Sequence, residues 1–273
     1  MGLFDNVPEI GCFRQDLGPG AVLLRRFALP DEDLLLTALR RVIEQAPFRH
    51  MVTPGGFRMS VSMTNCGSLG WISDGTGYRY DSIDPDSGRT WPSIPDSMLK
   101  LATGAAEEAG FRQFTPDACL INRYETGAKL SLHQDKNERD FGQPIVSVSL
   151  GIPAIFLFGG TTRRGKTTRV PVVHGDVVVW GGPARLRYHG VMPLKGGLPP
   201  SGRCLSGEPH VPQGSMTRDR RKTRRQMGRF LNFQRRQSPR LQCLDPQFAF
   251  SAGNGRVKKA GPHSRAALLT LSA

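Results

Sequence analysis

The sequence predicts a mostly β fold with flanking α-helices, built as a β-sandwich or jelly roll. Three observations carry that reading. From Ala118 onward, short apolar runs follow one another with Gly-rich turns between them. Before them stand two stretches with helical spacing. Between those helices, 47–82 is dense in Gly, Met, Ser and Thr, the composition of a loop-rich cover.

Pro30-Asp31-Glu32-Asp33 is an acidic helix start, and Leu34, Leu35, Ala38, Leu39, Val42 and Ile43 form the stripe behind it. A core-packing helix is the plain interpretation. In 47–82, Met51, Met59 and Met63 suit either packing or, with Trp71, Tyr78 and Tyr80, an adaptable surface that grips a flat ligand. A second helix is expected from Asp96 to Ala109, ended by Gly110. The strand series starts at Cys119–Tyr124, turns at Glu125-Thr126-Gly127, and resumes with Lys129–Leu132 leading into His133. It continues with Ile145–Leu150, Ile155–Phe158, Val170–Val173 and Val177–Trp180. In Ile145–Leu150, Ile145, Ser147 and Ser149 alternate with Val146, Val148 and Leu150, so one face packs and the other lines a cavity.

His133-Gln134-Asp135 follows the alternating Lys129–Leu132 run. Residues i and i+2 of an extended chain share a face, so imidazole and carboxylate can aim at one point. His189, 54 residues after Asp135, would complete a set of two His and one carboxylate. That donor set suits Fe(II) and leaves coordination positions open. The spacing alone is common by chance. His174-Gly175-Asp176 repeats it, but its Gly and the apolar run Val177–Trp180 make it a turn entering a buried strand.

Composition narrows the function classes. There is no run of about 18 apolar residues, hence no expected membrane span. Met1–Asn6 lacks the basic and apolar regions of a signal peptide. Cys12, Cys66, Cys119, Cys204 and Cys243 are scattered and odd in number, which points to reduced thiols, a cytoplasmic location, and neither a disulfide frame nor a zinc site. The net charge of +14 is uneven: 200–273 holds 15 Lys+Arg against 3 Asp+Glu. Arg218–Arg225 is a solvated charge run, and 200–273 as a whole is expected to be mostly disordered.

Longer runs carry a resemblance. Pro47-Phe48-Arg49, Met51–Gly56, Met63–Gly67, Pro116–Tyr124, Leu130–Lys136, His174–Gly182 and Tyr188-His189-Gly190 are similar to the AlkB family of Fe(II)- and 2-oxoglutarate-dependent nucleic-acid dealkylases, over about 20–197. The resemblance implies a double-stranded β-helix, a jelly-roll variant, with a nucleotide-recognition lid. It implies Fe(II) on His133, Asp135 and His189, and 2-oxoglutarate held by Asn122 and Tyr124. It gives Trp71 and Tyr78 to the flipped base, and Asn137 and Arg163 to substrate contacts. Asn137 stands where many members have Asp, which keeps hydrogen bonding but loses a charge.

The implied activity is oxidative demethylation of 1-methyladenine or 3-methylcytosine in DNA, with loss of formaldehyde, by a monomer acting on alkylated single- or double-stranded DNA and on RNA as a further substrate. The expected organisation is an N-terminal extension and helix in 1–46, the lid in 47–82, the dioxygenase core in 83–199 and the basic tail in 200–273.

The chain departs from the family at its end. The family closes with a strand reading Arg-x-Asn-x-Thr-Phe-Arg, whose arginines hold the co-substrate and the substrate side. In register, this chain has Ser206-Gly207-Glu208-Pro209-His210-Val211-Pro212. Codons permitted for Ser206–Thr217, read one base later, encode Arg-Val-Asn-Leu-Thr-Phe-Arg-Arg-Ala-Ala-stop. That points to a one-nucleotide frameshift between about Lys195 and Ser206, and to an iron site retained beside a weakened 2-oxoglutarate anchor. Two other function classes stand beside the demethylase: a basic, non-catalytic nucleic-acid binder, and a dioxygenase acting on RNA or protein.

Overall fold

Two antiparallel sheets stack face to face, and two helices cover the outer face of the larger one. The computed structural model describes 13–196 and 265–272. The larger sheet runs in the order β1 (Phe13–Gly18), β2 (Ala21–Arg25), β11 (Val177–Trp180), β8 (Ile145–Gly151), β13 (Arg265–Ser272), β6 (Ala118–Glu125), β3 (Ser62–Gly67). The smaller runs β10 (Thr168–Val172), β9 (Ala154–Phe158), β12 (His189–Val191), β7 (Leu130–His133). A separate hairpin pairs β4 (Gly70–Asp74) with β5 (Gly77–Asp81).

Period-two alternation sorts the core strands into two layers. Val22 and Leu24, Val146, Val148 and Leu150, and Val177 and Val179 face the helices α1 (Glu32–Gln45) and α2 (Asp96–Glu108). There they meet Leu35, Leu39 and Val42, and Met98, Leu101 and Ala105. Their neighbours Ala21 and Leu23, Ile145, and Val178 and Trp180 point inward, to Phe156, Phe158, Val170, Val172 and Val191 of the smaller sheet. Each such buried aliphatic side chain contributes about 1.5–3 kcal/mol relative to exposure.

α1 starts within the expected Pro30–Asp33, and α2 matches the expected Asp96–Ala109 within a residue. α2 ends with Gly110 at φ +93°, a left-handed position that favours glycine. One residue of the α1 stripe is misplaced: Leu34 is exposed, and Leu36 is buried in its stead. The helix turns 100° per residue, and its buried arc centres on Leu35, Leu39 and Val42.

The layers do not follow the expected boundaries. β1 and β2, from the expected extension, and β3, from the expected lid, are all members of the larger sheet. Residues 47–82 are therefore not one loop-rich cover; only the β4–β5 hairpin stands apart from the two sheets.

The expected disorder through 273 fails at β13. Arg265–Ser272 pairs along its whole length with β6, and Ala266–Leu271 pairs with β8 on the other side. Without it, β6 and β8 would each present an unpaired edge inside the sheet. Leu269 points to the helix layer, buried among core residues. The frameshift reading concerns 206–212, which lies outside the described residues.

Candidate active site

The smaller sheet builds the site. β12 lies antiparallel between β9 and β7, with His189 directly opposite His133. Cross-strand partners project to one face, and the two imidazole rings lie 4.3 Å apart, centre to centre. A Cβ on Gly190 would come within 2.6 Å of the Leu130 carbonyl oxygen, so β12 can approach β7 this closely only because residue 190 has no side chain.

β7 ends at His133, so Asp135 comes from the loop beyond the strand rather than from the strand itself. Its carboxylate nevertheless turns back to the histidines. Oδ1 is 3.5 Å from His133 Nε2, and Oδ2 is 3.3 Å from His189 Nε2. One donor atom from each residue falls within 4.8 Å of the others. Among the described residues no other group of three His, Cys, Asp or Glu side chains comes together in this way.

Backbone carbonyls orient both rings. His133 Nδ1 lies 2.9 Å from the Ser131 carbonyl oxygen, and His189 Nδ1 lies 3.1 Å from that of Arg187. A carbonyl only accepts, so Nδ1 carries a proton in each ring and Nε2 faces the centre, where it would bind a metal on losing its own proton. Burial alone would raise the Asp135 carboxyl. The charge of His189 and hydrogen bonds from both histidines outweigh it and hold Asp135 well below the ordinary carboxylate range. For His133, burial works toward a lower pKa, but the hydrogen bond and charge of Asp135 prevail and raise it. Two imidazole Nε2 atoms and one carboxylate converging on one point are the ligand set that suits Fe(II).

A cavity opens beside the three ligands. Leu120, Leu130, Phe156, Trp180 and Val191 give it apolar walls, and Asn122, Ser147 and Thr270 add polar ones. Asn122 Oδ1, Ser147 Oγ and Trp180 Nε1 are buried without a hydrogen-bond partner among the described residues, and so is the Tyr124 hydroxyl. Burial pushes the Tyr124 phenol upward, so it stays protonated and able to donate. Buried polar atoms are normally satisfied; Ser147 Oγ, Trp180 Nε1 and the Tyr124 hydroxyl can donate to an oxygen-rich co-substrate, whereas Asn122 Oδ1 only accepts. No Lys or Arg is among the described residues that line the cavity.

The other expected site residues divide. Trp71 and Tyr78 are brought together, stacked at 5.7 Å with 15° between their planes. Asn65 fixes the strand that carries Trp71: its side-chain NH2 donates to the Trp71 carbonyl, and its oxygen accepts the Trp71 N–H, both at 3.0 Å. Asn137 is exposed in the loop after Asp135, and Arg163 is exposed in the turn between β9 and β10; neither lines the cavity. Sequence reasoning passed over Trp180, Phe156 and Thr270 as cavity walls. Trp180 and Phe156 look like ordinary core residues, and Thr270 lies in the segment expected to be disordered.

The second His-x-Asp forms a turn, as its Gly indicates. Gly175 has φ +86°, and a Cβ there would collide with Leu29. Asp176 accepts the N–H groups of Arg26 and Val173 and pairs with Arg25 at 2.8 Å, while His174 Nδ1 accepts the Gly151 N–H. These bonds tie the turn to β2 and β8 and leave no joint donor set.

Comparison with known proteins agrees with this geometry. A family model described as the 2OG-Fe(II) oxygenase superfamily matches residues 20–229. The chain is 56% identical over 198 residues to the alpha-ketoglutarate-dependent dioxygenase AlkB of Escherichia coli (strain K12), covering 72% of this chain and 92% of that protein. It is 44% identical over 171 residues to an AlkB homolog of Caulobacter vibrioides, covering 62% and 76%. The solved structure of OsALKBH1 superposes with a TM-score of 0.60 at 32% identity, covering 69% of this chain and 91% of that one. The chain belongs to the AlkB family of the 2OG-Fe(II) oxygenase superfamily.

Proposed function

We propose that this chain removes methyl groups from the ring nitrogens of 1-methyladenine and 3-methylcytosine in DNA, as a repair enzyme. The observation that carries the reading is the convergence of His133, Asp135 and His189 at the mouth of a cavity whose buried polar atoms lack partners. The identity to AlkB supports it, as do relatives named nucleic acid dioxygenase ALKBH1 in Homo sapiens and DNA N(6)-methyladenine demethylase ALKBH1C in Arabidopsis thaliana.

His133 Nε2, the Asp135 carboxylate and His189 Nε2 would hold Fe(II). When bound, iron with 2-oxoglutarate and oxygen supplies the oxidising power that hydroxylates the N-methyl carbon, and the product sheds formaldehyde. Asn122, through its side-chain NH2, and Tyr124, through a buried hydroxyl without a partner among the described residues, would position the co-substrate from β6. The apolar walls at Phe156, Trp180 and Val191 exclude water from the reacting carbon. The target base must leave its stack to reach the metal. Trp71 and Tyr78 offer it an aromatic platform. A base methylated at these positions is cationic, and a tryptophan face attracts a cation by about 0.5–2 kcal/mol. Asn137 and Arg163, exposed on the β7–β8 and β9–β10 loops, would meet the strand around the base.

We further propose that the protein acts as a cytoplasmic monomer. The test gives the full chain equal amounts of DNA and RNA single strands carrying one 1-methyladenine. Mass spectrometry should show adenine regenerated in DNA, dependent on 2-oxoglutarate. Regeneration confined to RNA would replace DNA as the substrate, and regeneration in neither would overturn the reading.

A further inference from the structure

Asp135 is the one metal ligand that no strand holds, and Arg185 does what a strand would do. Arg185 follows the short turn after β11 and is buried at 2% exposure. Its guanidinium serves three groups of the loop between β7 and β8. Nη1 donates to the Asp135 carbonyl at 2.7 Å, Nε donates to the Gln143 carbonyl at 3.0 Å, and Nη2 lies 3.3 Å from Glu138 Oε2. The loop's Phe141 ring lies under the same guanidinium, 5.4 Å away. One planar fork thus fixes the beginning, middle and end of an irregular loop. A lysine ammonium cannot reproduce that geometry.

Glu138 carries the link outward. Its Oε1 accepts a hydrogen bond from the Tyr80 hydroxyl at 2.8 Å. Tyr80 lies on β5 directly opposite Trp71 of β4, the ring stacked on Tyr78. The chain of contacts runs from the aromatic hairpin through Tyr80, Glu138 and Arg185 to the main chain of a metal ligand.

We propose that Arg185 is a positioning residue for Asp135, and that Tyr80 and Glu138 couple the aromatic hairpin to that ligand, so that a base seated on the hairpin tightens the hold on the metal. The coupling rests on the demethylase reading; the positioning role needs only the metal site. Holding the Asp135 carbonyl restricts rotation about its backbone and so fixes where its carboxylate can point. Partners of this kind, one bond away from a ligand, typically change metal affinity by about 10–100-fold when removed.

The test loads the full chain with Co(II) and follows its visible absorption and its release to a chelator. Arg185→Lys and Glu138→Gln should shift the Co(II) bands and release the metal about 10-fold faster, with little change in the melting temperature of the metal-free protein. Glu138→Gln keeps the side-chain size and decides the matter even where Arg185→Lys unfolds. Release and spectra identical to the unaltered protein in Glu138→Gln would overturn the positioning role.

For the coupling, a single-stranded 1-methyladenine oligonucleotide should slow Co(II) release from the unaltered protein. Tyr80→Phe should abolish that slowing while fluorescence anisotropy still shows the strand bound. Slowing that persists in Tyr80→Phe would overturn the coupling. Failure of the unaltered protein to bind the oligonucleotide would overturn the demethylase reading and the coupling with it, whereas the release rates without nucleic acid still decide the role of Arg185.

Discussion

At the scale of single residues, the site depends on three side chains whose directions are set by different means. His133 and His189 face each other because they are a registered cross-strand pair. Period-two alternation suggests His133 and Asp135 from sequence, and the resemblance to the AlkB family adds His189 to them. Asp135 reaches the same point from a loop, and the contacts that hold it there come from Arg185, 50 residues away in the chain. No local pattern marks such a contact, so Arg185 and Glu138 were invisible in the sequence while the ligands were not. His189→Ala should weaken Fe(II) binding by more than the roughly 100-fold that loss of an outer partner can cause, as measured by anaerobic titration. Retained affinity would remove His189 from the ligand set.

At the scale of elements, β13 was the least legible part of the fold. Its partners β6 and β8 lie more than 100 residues earlier, and Arg218–Arg225 and its polar surroundings intervene. Composition averaged over 200–273 hides an eight-residue Ala/Leu/Thr strand. The strands from Ala118 to Trp180 were legible because each is short, apolar and followed by a turn. β1 was not, since its polar residues are mostly exposed at a sheet edge.

Leu269 tests the placement of β13. If it packs in the helix layer as described, Leu269→Ala should cost about 2–5 kcal/mol in a denaturant titration. A cost near zero would remove β13 from the sheet. For the β4–β5 hairpin, Trp71→Ala should raise KM for methylated single strands more than it lowers kcat, if the ring serves as the proposed platform for the base. The reverse pattern would deny Trp71 that role.

At the scale of the whole molecule, charge and chemistry occupy different parts of the chain. Residues 200–273 hold 15 Lys+Arg against 3 Asp+Glu, most of the net charge of +14, whereas the metal ligands and the described cavity wall other than Thr270 all precede residue 192. A strand bound partly through the basic run should lose affinity steeply with salt. Each phosphate contact on a single strand contributes about 0.7 to the slope of log K against log salt. Replacing Arg220, Arg221, Arg224 and Arg225 with Gln should lower that slope by up to about 3 and leave kcat unchanged. An unchanged slope would exclude the run from the interface.

The central claim is that His133, Asp135 and His189 hold a metal that demethylates a nucleic-acid base. Single-turnover formaldehyde release from a 1-methyladenine DNA strand, with Fe(II), 2-oxoglutarate and oxygen, tests it most directly. The full chain should release one formaldehyde per methyl group lost, and Asp135→Ala should release none. Formaldehyde from Asp135→Ala at the rate of the unaltered chain, or none from the unaltered chain with iron bound, would contradict the claim.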